Sequence, residues 1–348
     1  MLLKKYFIAV LLLTSILPGC NDLMVHEEQT IPLNINYPAA FVVNGKDNTI
    51  SVIKLSEMKV TETIKLKDAT TPHHITLSPD KKQLAVAITS ADLSGGHGGM
   101  EEEATNYKVI ILDAETGLVI KTIVLPKMPH NAVYNATGDE LWMGQQADGA
   151  GSVIVYNTTD WSIKDVIPVG KSPSEITFSA DGSWAFVANT DDATVSVIDP
   201  VTKSISATLQ VGEDPVGAWP AADGNMYVDN ETSQTISILN VATKTIAETL
   251  NLGFKPGYAA YQEKTGELWV SNATDGKVVI YSRNNNSWQR KTEIATGADA
   301  HAIIFSEDQK LAYVTNQGAH TVSVINTADY SKVTTLSVGR MPNGIVIR

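Results

Sequence analysis

PSEITFSADGSWAFVANTDDATVSVIDPVTKSISATLQVG, residues 173–212, contains four short apolar segments separated by turn-forming residues. Within each segment the apolar side chains alternate or run together at the period of a β-strand, never at that of a helix. The four predicted strands are Glu175–Phe178, Trp184–Ala188, Val195–Ile198 and Ser206–Val211. A single four-stranded sheet of this kind cannot bury both of its faces, so it requires copies of itself on either side.

The start of this unit recurs along the chain as a Pro followed, three residues later, by an apolar residue. Successive starts lie 57, 44, 42, 41, 44 and 42 residues apart, and the sixth has lost its Pro. The second strand of the unit also recurs seven times, as Phe41–Asn44, Ala85–Ala87, Trp142–Gly144, Phe186–Asn189, Tyr227–Asn230, Trp269–Asn272 and Tyr313–Asn316. Seven degenerate copies at a period near 42 predict an all-β fold, a seven-bladed β-propeller with four-stranded blades.

One copy of the second strand, Tyr313-Val314-Thr315-Asn316, spells a known repeat motif, and Val322-Ser323-Val324-Ile325-Asn326 continues it. On these residues the chain resembles the YVTN-type β-propeller repeat proteins over residues 37–348. The resemblance implies the same fold as the period does. It implies little about activity, because propellers carry many different chemistries.

The repeats begin in the middle of a blade. Phe41–Asn44, Ile50–Ile53 and Glu62–Leu66 supply a second, a third and a fourth strand with no first strand before them. The missing first strand is predicted at the other end of the chain, at Gly344–Ile347. We therefore expect the two ends to share one blade and close the ring, which leaves no unpaired inner edge.

Five of the seven second strands end in Asn, and Trp or Tyr lies in or beside several strands. We expect the Asn amides to bond local backbone in the turn that follows. We expect the aromatic rings to pack between neighbouring blades. The Asn residues are Asn44, Asn189, Asn230, Asn272 and Asn316, and the aromatic residues are Trp142, Trp184, Trp219, Trp269, Tyr227 and Tyr313.

Residues 1–19 lie outside the repeats and have the pattern of a lipoprotein signal peptide. The apolar run Tyr6–Ile16 is too short to span a bilayer comfortably. Leu17-Pro18-Gly19-Cys20 resembles a bacterial lipobox, which implies cleavage before Cys20 and a lipid on its sulfur. Residues 20–36 are predicted to form a flexible tether, and residues 37–348 the propeller. Cys20 is the only cysteine in the chain, so no intrachain disulfide is possible.

The lipid reading predicts a protein of the cell envelope, held at a membrane by its acyl chains. Asn21, where an Asp would favour the inner membrane, indicates the outer membrane. The sequence does not distinguish the periplasmic side from the cell surface.

Replacing Cys20 with Ala tests the anchor. Without the sulfur no lipid can be attached, so Cys20→Ala should abolish metabolic labelling with palmitate and yield a soluble or unprocessed protein. Labelling that is unchanged in the variant would contradict the lipid anchor.

The net charge of the chain indicates which classes of partner it can bind. The chain has 26 Lys and Arg against 38 Asp and Glu, a formal net charge of −12. An acidic surface repels phosphate backbones, and no basic stripe with interleaved aromatics is present, so a nucleic-acid partner is not expected. We expect a monomer whose partner is a protein or a small molecule.

Histidines concentrate on one predicted face. In an antiparallel blade the first strand begins at the rim where the second strand ends, and six of the seven histidines fall at that rim. His73, His130 and His301 share one repeat position, directly after the Pro or its substitute, and His74 follows His73. Innermost strands line the central channel, so these four are candidate metal ligands at its mouth. Other residues predicted at the mouth are Ser174, Glu175 and Asn343.

The spacing of 57 marks an insertion at Ser90–Asn106, between the second and third strands of one blade. Four glycines flank His97, and Met100 follows. His97 and Met100 are candidate loop ligands, because imidazole and thioether donors suit copper. The alternative is a solvated surface loop without a ligand. Neutral imidazoles without a thiolate indicate copper or zinc rather than calcium or magnesium.

Three functions remain open. The leading hypothesis is a binding module, rather than an enzyme, that takes a ligand or protein at its His-bearing face. The second is a metal- or haem-binding redox protein, implied by a resemblance to nitrous-oxide reductase and the haem-binding domain of nitrite reductase. This chain has too few histidines for a multi-copper cluster and no covalent-haem motif. The third is a lactonase-like hydrolase using Glu175, His130 and His73, although no nucleophile motif is visible.

Overall fold

The computed structural model describes residues 30–91, 93, 106–146, 149–285 and 287–348. These residues form seven four-stranded antiparallel sheets arranged in a ring, with one 3₁₀ turn at Thr190–Asp192. The predicted seven-bladed β-propeller is confirmed. No helix within the described ranges is long and apolar enough to cross a membrane. Cys20, His97 and Met100 lie outside the described residues.

The strands of the first half are β1 (Ala39–Asn44), β2 (Thr49–Lys54), β3 (Lys59–Lys65), β4 (Pro72–Leu77), β5 (Gln83–Ile88), β6 (Lys108–Asp113), β7 (Val119–Val124), β8 (Ala132–Tyr134), β9 (Glu140–Gln145), β10 (Ala150–Asn157), β11 (Ile163–Lys171), β12 (Pro173–Phe178), β13 (Ala185–Asn189), β14 (Thr194–Asp199) and β15 (Ser204–Gln210).

The strands of the second half are β16 (Pro215–Pro220), β17 (Asn225–Asn230), β18 (Thr235–Asn240), β19 (Thr245–Asn251), β20 (Pro256–Gln262), β21 (Glu267–Asn272), β22 (Lys277–Asn284), β23 (Ser287–Ala295), β24 (Ala300–Phe305), β25 (Leu311–Asn316), β26 (Thr321–Asn326), β27 (Lys332–Ser337) and β28 (Pro342–Ile347).

Six blades are continuous in sequence. From the inside outward, blade 1 is β4–β7, blade 2 is β8–β11, and the series ends with blade 6 at β24–β27. The closing blade has the order β28-β1-β2-β3. We call the side where the first strands begin the mouth face. Second strands end there, and third strands end on the opposite face.

The two ends of the chain pair within the closing blade. β28 runs antiparallel to β1, with Phe41 opposite Val346 and Val42 opposite Ile345. The Arg348 N–H donates to the Ala39 carbonyl at 2.8 Å. The predicted closure is therefore confirmed, with β28 starting two residues earlier than the pattern indicated.

Apolar side chains fill the space between neighbouring blades. Trp142, Trp269, Tyr227 and Tyr313 are among the largest fully buried side chains, which agrees with their predicted packing role. Phe41 belongs to the cluster shared by the closing blade and blade 1. Burial of such rings supplies the area on which the stability of the ring depends.

Of the five Asn side chains at the ends of second strands, Asn272 accepts from the Asp275 N–H of the following turn at 3.1 Å, as predicted, and the other four bond differently. In four blades the amide Nδ2 donates to a Thr and a Ser hydroxyl of the third strand, at 2.9–3.1 Å, instead of chiefly to turn backbone. A Gly entering from the preceding blade packs on each amide, where a Cβ would lie 2.5–2.8 Å from it. The amides therefore join two strands and one neighbouring blade. The Asn–Gly pairs are Asn44–Gly339, Asn189–Gly170, Asn230–Gly212 and Asn316–Gly297.

The segment before β1 lies against the face opposite the mouth. The N–H groups of Leu33 and Ile35 donate to the carbonyls of Thr116 and Glu115, both at 2.9 Å. Thr116 and Glu115 form the turn between β6 and β7, the third and fourth strands of blade 1. The chain therefore enters the propeller from the face opposite the mouth.

Deleting residues 341–348 tests the closure. β1 would lose its inner partner, and the channel would gain an open edge, so thermal unfolding should show loss of most of the stability. The substitution Arg348→Ala, which keeps β28, is the control and should be much milder. A truncated protein that melts within a few degrees of the full chain would contradict this role of β28.

Candidate functional site

The start of each inner strand determines which side chains reach the mouth. In five blades the residue before the strand has a positive φ, between 48° and 61°. The pairing register then shifts within the first residues, for example between Pro72 and Ile75 in blade 1 and between Pro173 and Ile176 in blade 3. Such bulges re-aim side chains, so consecutive residues need not point to opposite sides. The five residues are Thr71, Ser172, Asp214, Asp299 and Met341.

Three histidines meet at the mouth. His73 and His74 come from blade 1, His130 comes from blade 2, and their exposed fractions are 5, 7 and 1%. One ring nitrogen of each lies within 4.8 Å of the others. The ring centroids of His73 and His130 are 4.6 Å apart, and those of His74 and His130 are 5.2 Å apart. Two nitrogens on one tetrahedral zinc ion lie about 3.4 Å apart, so the rings would have to approach one another by up to about 1.4 Å to share an ion.

A buried carboxylate from blade 3 completes this arrangement. Glu175 Oε1 lies 2.9 Å from His74 Nε2 and 3.7 Å from His130 Nδ1. The Asn131 Nδ2 lies 3.4 Å from Glu175 Oε2, and its amide also bonds the N–H and carbonyl of Ile176 at 3.1 and 2.9 Å. The carboxylate is thus held in place by a neighbouring blade. It can serve as a fourth metal ligand or orient an imidazole that ligates.

His301 and Asn343 flank the trio. The His301 ring centroid lies 6.3 Å from that of His73 and 6.2 Å from that of His74, so His301 lies at the edge of the cluster. Asn343, from the closing blade, makes a hydrogen bond with its Nδ2 to Nδ1 of His73. A hydrogen bond of this kind fixes the orientation of the His73 ring. Whether Nδ1 accepts or donates in it decides which ring nitrogen is available to a metal.

The remaining predicted residues lie apart from the cluster. The Ser174 hydroxyl is buried and bonds Thr190 Oγ1 at 2.7 Å and Gln146 Nε2 at 3.2 Å, which is a structural contact. His320 is on the same face but exposed, and its Nδ1 lies 2.9 Å from the Gln317 carbonyl. It therefore provides a matched histidine outside the cluster.

A second group at the mouth was missed by the sequence analysis. Gly217 has no side chain, and the Trp219 indole covers it, where an added Cβ would lie 2.3 Å from the ring. Trp219 Nε1 donates to Asp229 Oδ1 at 2.7 Å. The Tyr258 ring centroid lies 3.7 Å from that of Trp219 and 6.4 Å from that of His301. One feature of the sequence could have indicated this group. Asp229 lies in the apolar run of β17, where the equivalent residues of other blades are Ala188, Ser271 and Thr315.

Two buried groups at the mouth, Asp229 and Tyr258, have raised pKa values. Burial raises the pKa of Asp229 well above its usual range, and the neighbouring Glu231 and Glu175 raise it further. Burial also raises the pKa of Tyr258, with additional contributions from Glu175 and Asp229. With Asp229 protonated, the charge acting on both groups comes from Glu175, which favours a cation over an anion at the mouth before any ion is bound. Strongly perturbed groups of this kind are typical of functional sites, although structural networks show them as well.

Comparison with solved structures supports the fold. A periplasmic gluconolactonase of Pseudomonas aeruginosa aligns with a TM-score of 0.72 at 17% identity, over 89% of this chain and 98% of that one. Hydrazine synthase of Kuenenia stuttgartiensis gives 0.63 at 17% identity, over 80% and 90%. A dihydro-haem d1 dehydrogenase, solved in complex with DHE, gives 0.64 at 12% identity, over 92% and 78%. No family model and no curated protein matches the sequence.

Substituting Asp229 tests the electrostatics. Its raised pKa means that the folded state holds a proton that the unfolded chain releases. Stability therefore falls by about 1.4 kcal/mol per pH unit between the unfolded pKa, near 3.9, and the folded one. Asp229→Asn keeps a side-chain oxygen that accepts from the Trp219 indole. It removes the loss of stability with rising pH, because the Asn amide does not titrate. Thermal unfolding should show a gain in stability that grows as the pH rises above about 4.

The control is Asp181, whose pKa is lowered to about 2 by the hydroxyls of Ser179 and Ser183. Asp181→Asn removes stability that is present above the unfolded pKa, so its effect has the opposite sign. A gain in Asp229→Asn that does not change with pH would contradict the neutral buried carboxyl.

Proposed function

We propose that this protein is a lipid-anchored, extracytoplasmic β-propeller that binds a divalent transition-metal ion at its channel mouth. The proposed ligands are His73, His74 and His130, with Glu175 as fourth ligand or orienting partner. The observation that carries the proposal is the approach of three buried imidazoles to within 4.8 Å of one another beside a buried carboxylate.

The chemistry of the donors favours zinc or copper. Imidazole nitrogen is a preferred ligand of both ions, whereas calcium and magnesium prefer sets of oxygen ligands. A cation bound by all three imidazoles would satisfy the nitrogen lone pairs that are crowded together in this buried site. The Glu175 carboxylate beside these imidazoles also favours a positively charged ligand.

The path of the chain supports an accessible mouth. Leu33 and Ile35 bond to the turn between β6 and β7, on the face opposite the histidines. A lipid on Cys20 would therefore be joined to the propeller on the side of that opposite face. The His-bearing mouth would be left uncovered by the segment that carries the anchor.

A second candidate is lactone hydrolysis at the same mouth. Glu175 Oε1 lies within 3.7 Å of imidazole nitrogens from two blades, which is an arrangement suited to a general base. A bound metal would polarise the lactone carbonyl. Sugar-lactone turnover by the wild type, lost in Glu175→Gln, would favour this function over simple binding.

Titration with Zn²⁺ and Cu²⁺, using protein without a His-tag, tests the metal site. The wild type should bind at least one ion with Kd below about 10 μM, or about 7 kcal/mol. The double variant His73→Ala, His130→Ala should bind at least about 100-fold more weakly, because it loses two of three nitrogen ligands.

The control His320→Ala removes an exposed histidine of the same face and should retain the wild-type affinity. Circular dichroism and thermal unfolding establish that the variants are folded. Equal binding by the wild type and the double variant, or wild-type binding weaker than about 10 μM for both ions, would leave the face as a plain protein- or ligand-binding surface.

A further inference from the structure

A cleft of about 210 Å³ opens beside the histidine cluster. It lies where the closing blade meets blade 1. His73 and Asn343, which contact each other in the cluster, also line this cleft. A molecule in the cleft would therefore touch a residue of the proposed metal site.

The size of the cleft exceeds what a metal ion requires. A water molecule takes about 30 Å³, so the volume corresponds to about seven waters or a small organic molecule. Pro72, Leu93 and Met341 contribute apolar wall. The Thr89 hydroxyl lies 2.8 Å from the carbonyls of Thr71 and Ala91, so its hydrogen-bonding capacity is used within the wall. The body of a ligand here would be apolar.

The net charge of the metal-loaded site indicates which polar head group the ligand would carry. A divalent ion held by three neutral imidazoles and one carboxylate keeps a net charge of +1, which favours an anionic additional ligand. Lys46 is the cationic side chain that lines the cleft, and it forms no ion pair with the described residues. Its neighbour Asp47 is already paired with Arg340 at 2.5 Å. The bound ion and the Lys46 ammonium would therefore both place positive charge beside the cleft.

We infer that the cleft holds a small organic carboxylate whose oxygen ligates the metal beside His73 while its apolar body lies against Pro72 and Leu93. The inference rests on the proposed metal site and names the class of ligand that this site takes. Lys46 contributes charge at the rim without touching the metal.

Calorimetric titration of metal-free and zinc-loaded full-length protein tests the inference, with benzoate as probe and benzamide as its uncharged equivalent. Benzoate should bind the zinc-loaded wild type at least about tenfold more tightly than the metal-free protein, and at least about tenfold more tightly than benzamide binds. Ala91→Leu, which fills the cleft, should remove benzoate binding and leave zinc affinity unchanged.

Lys46→Gln should weaken benzoate binding by about threefold, as expected for an exposed charge. Lys171→Gln is the control, because Lys171 is on the same face but pairs with Asp192 at 3.7 Å, away from the cleft. Zinc binding with no preference for benzoate over benzamide, or benzoate binding that Ala91→Leu leaves intact, would overturn the cleft proposal and leave the metal site standing. Absence of zinc binding would overturn both.

Discussion

The pairing of β28 with β1 is the constraint on which the rest of the molecule depends. It closes the ring, and it also positions β28 beside the inner strand of blade 1. A Cβ on Gly344 would lie 2.9 Å from the Ile75 nitrogen and 3.0 Å from the His74 Cα, so the two backbones touch where the histidine pair begins. The same strand carries Asn343, which bonds His73. Closure and the geometry of the candidate site therefore have a common origin.

Much of the fold was predictable because the period is a local property. Turn residues and strand alternation mark each blade, and seven copies admit few other architectures. The equivalence of His73 and His130 in the repeat also placed them side by side. The contribution of Glu175 was less predictable, since bulges at the starts of β4 and β12 decide which residues of these strands enter the cluster.

Contacts between blades escaped prediction for a related reason. The Asn amides were expected to bond nearby backbone, yet in four blades they reach hydroxyls on the next strand and support a Gly from the preceding blade. Asp229 was overlooked because the Trp219 indole reaches it from the neighbouring strand and the Glu175 charge acts on it from another blade. Periodicity identifies equivalent positions, but pairwise chemistry across blades depends on which side chains differ from the repeat.

The proposed ligands come from three adjacent blades, which has a consequence for stability. His73 and His74 belong to blade 1, His130 to blade 2 and Glu175 to blade 3, while Asn343 of the closing blade supports His73. An ion bound by these side chains would link separate sheets that otherwise meet mainly through apolar packing. Because the unfolded chain does not assemble such a site, binding would favour the closed ring by mass action. A metal at the mouth would thus reinforce the propeller across blades 1 to 3, next to the blade in which the two chain ends meet.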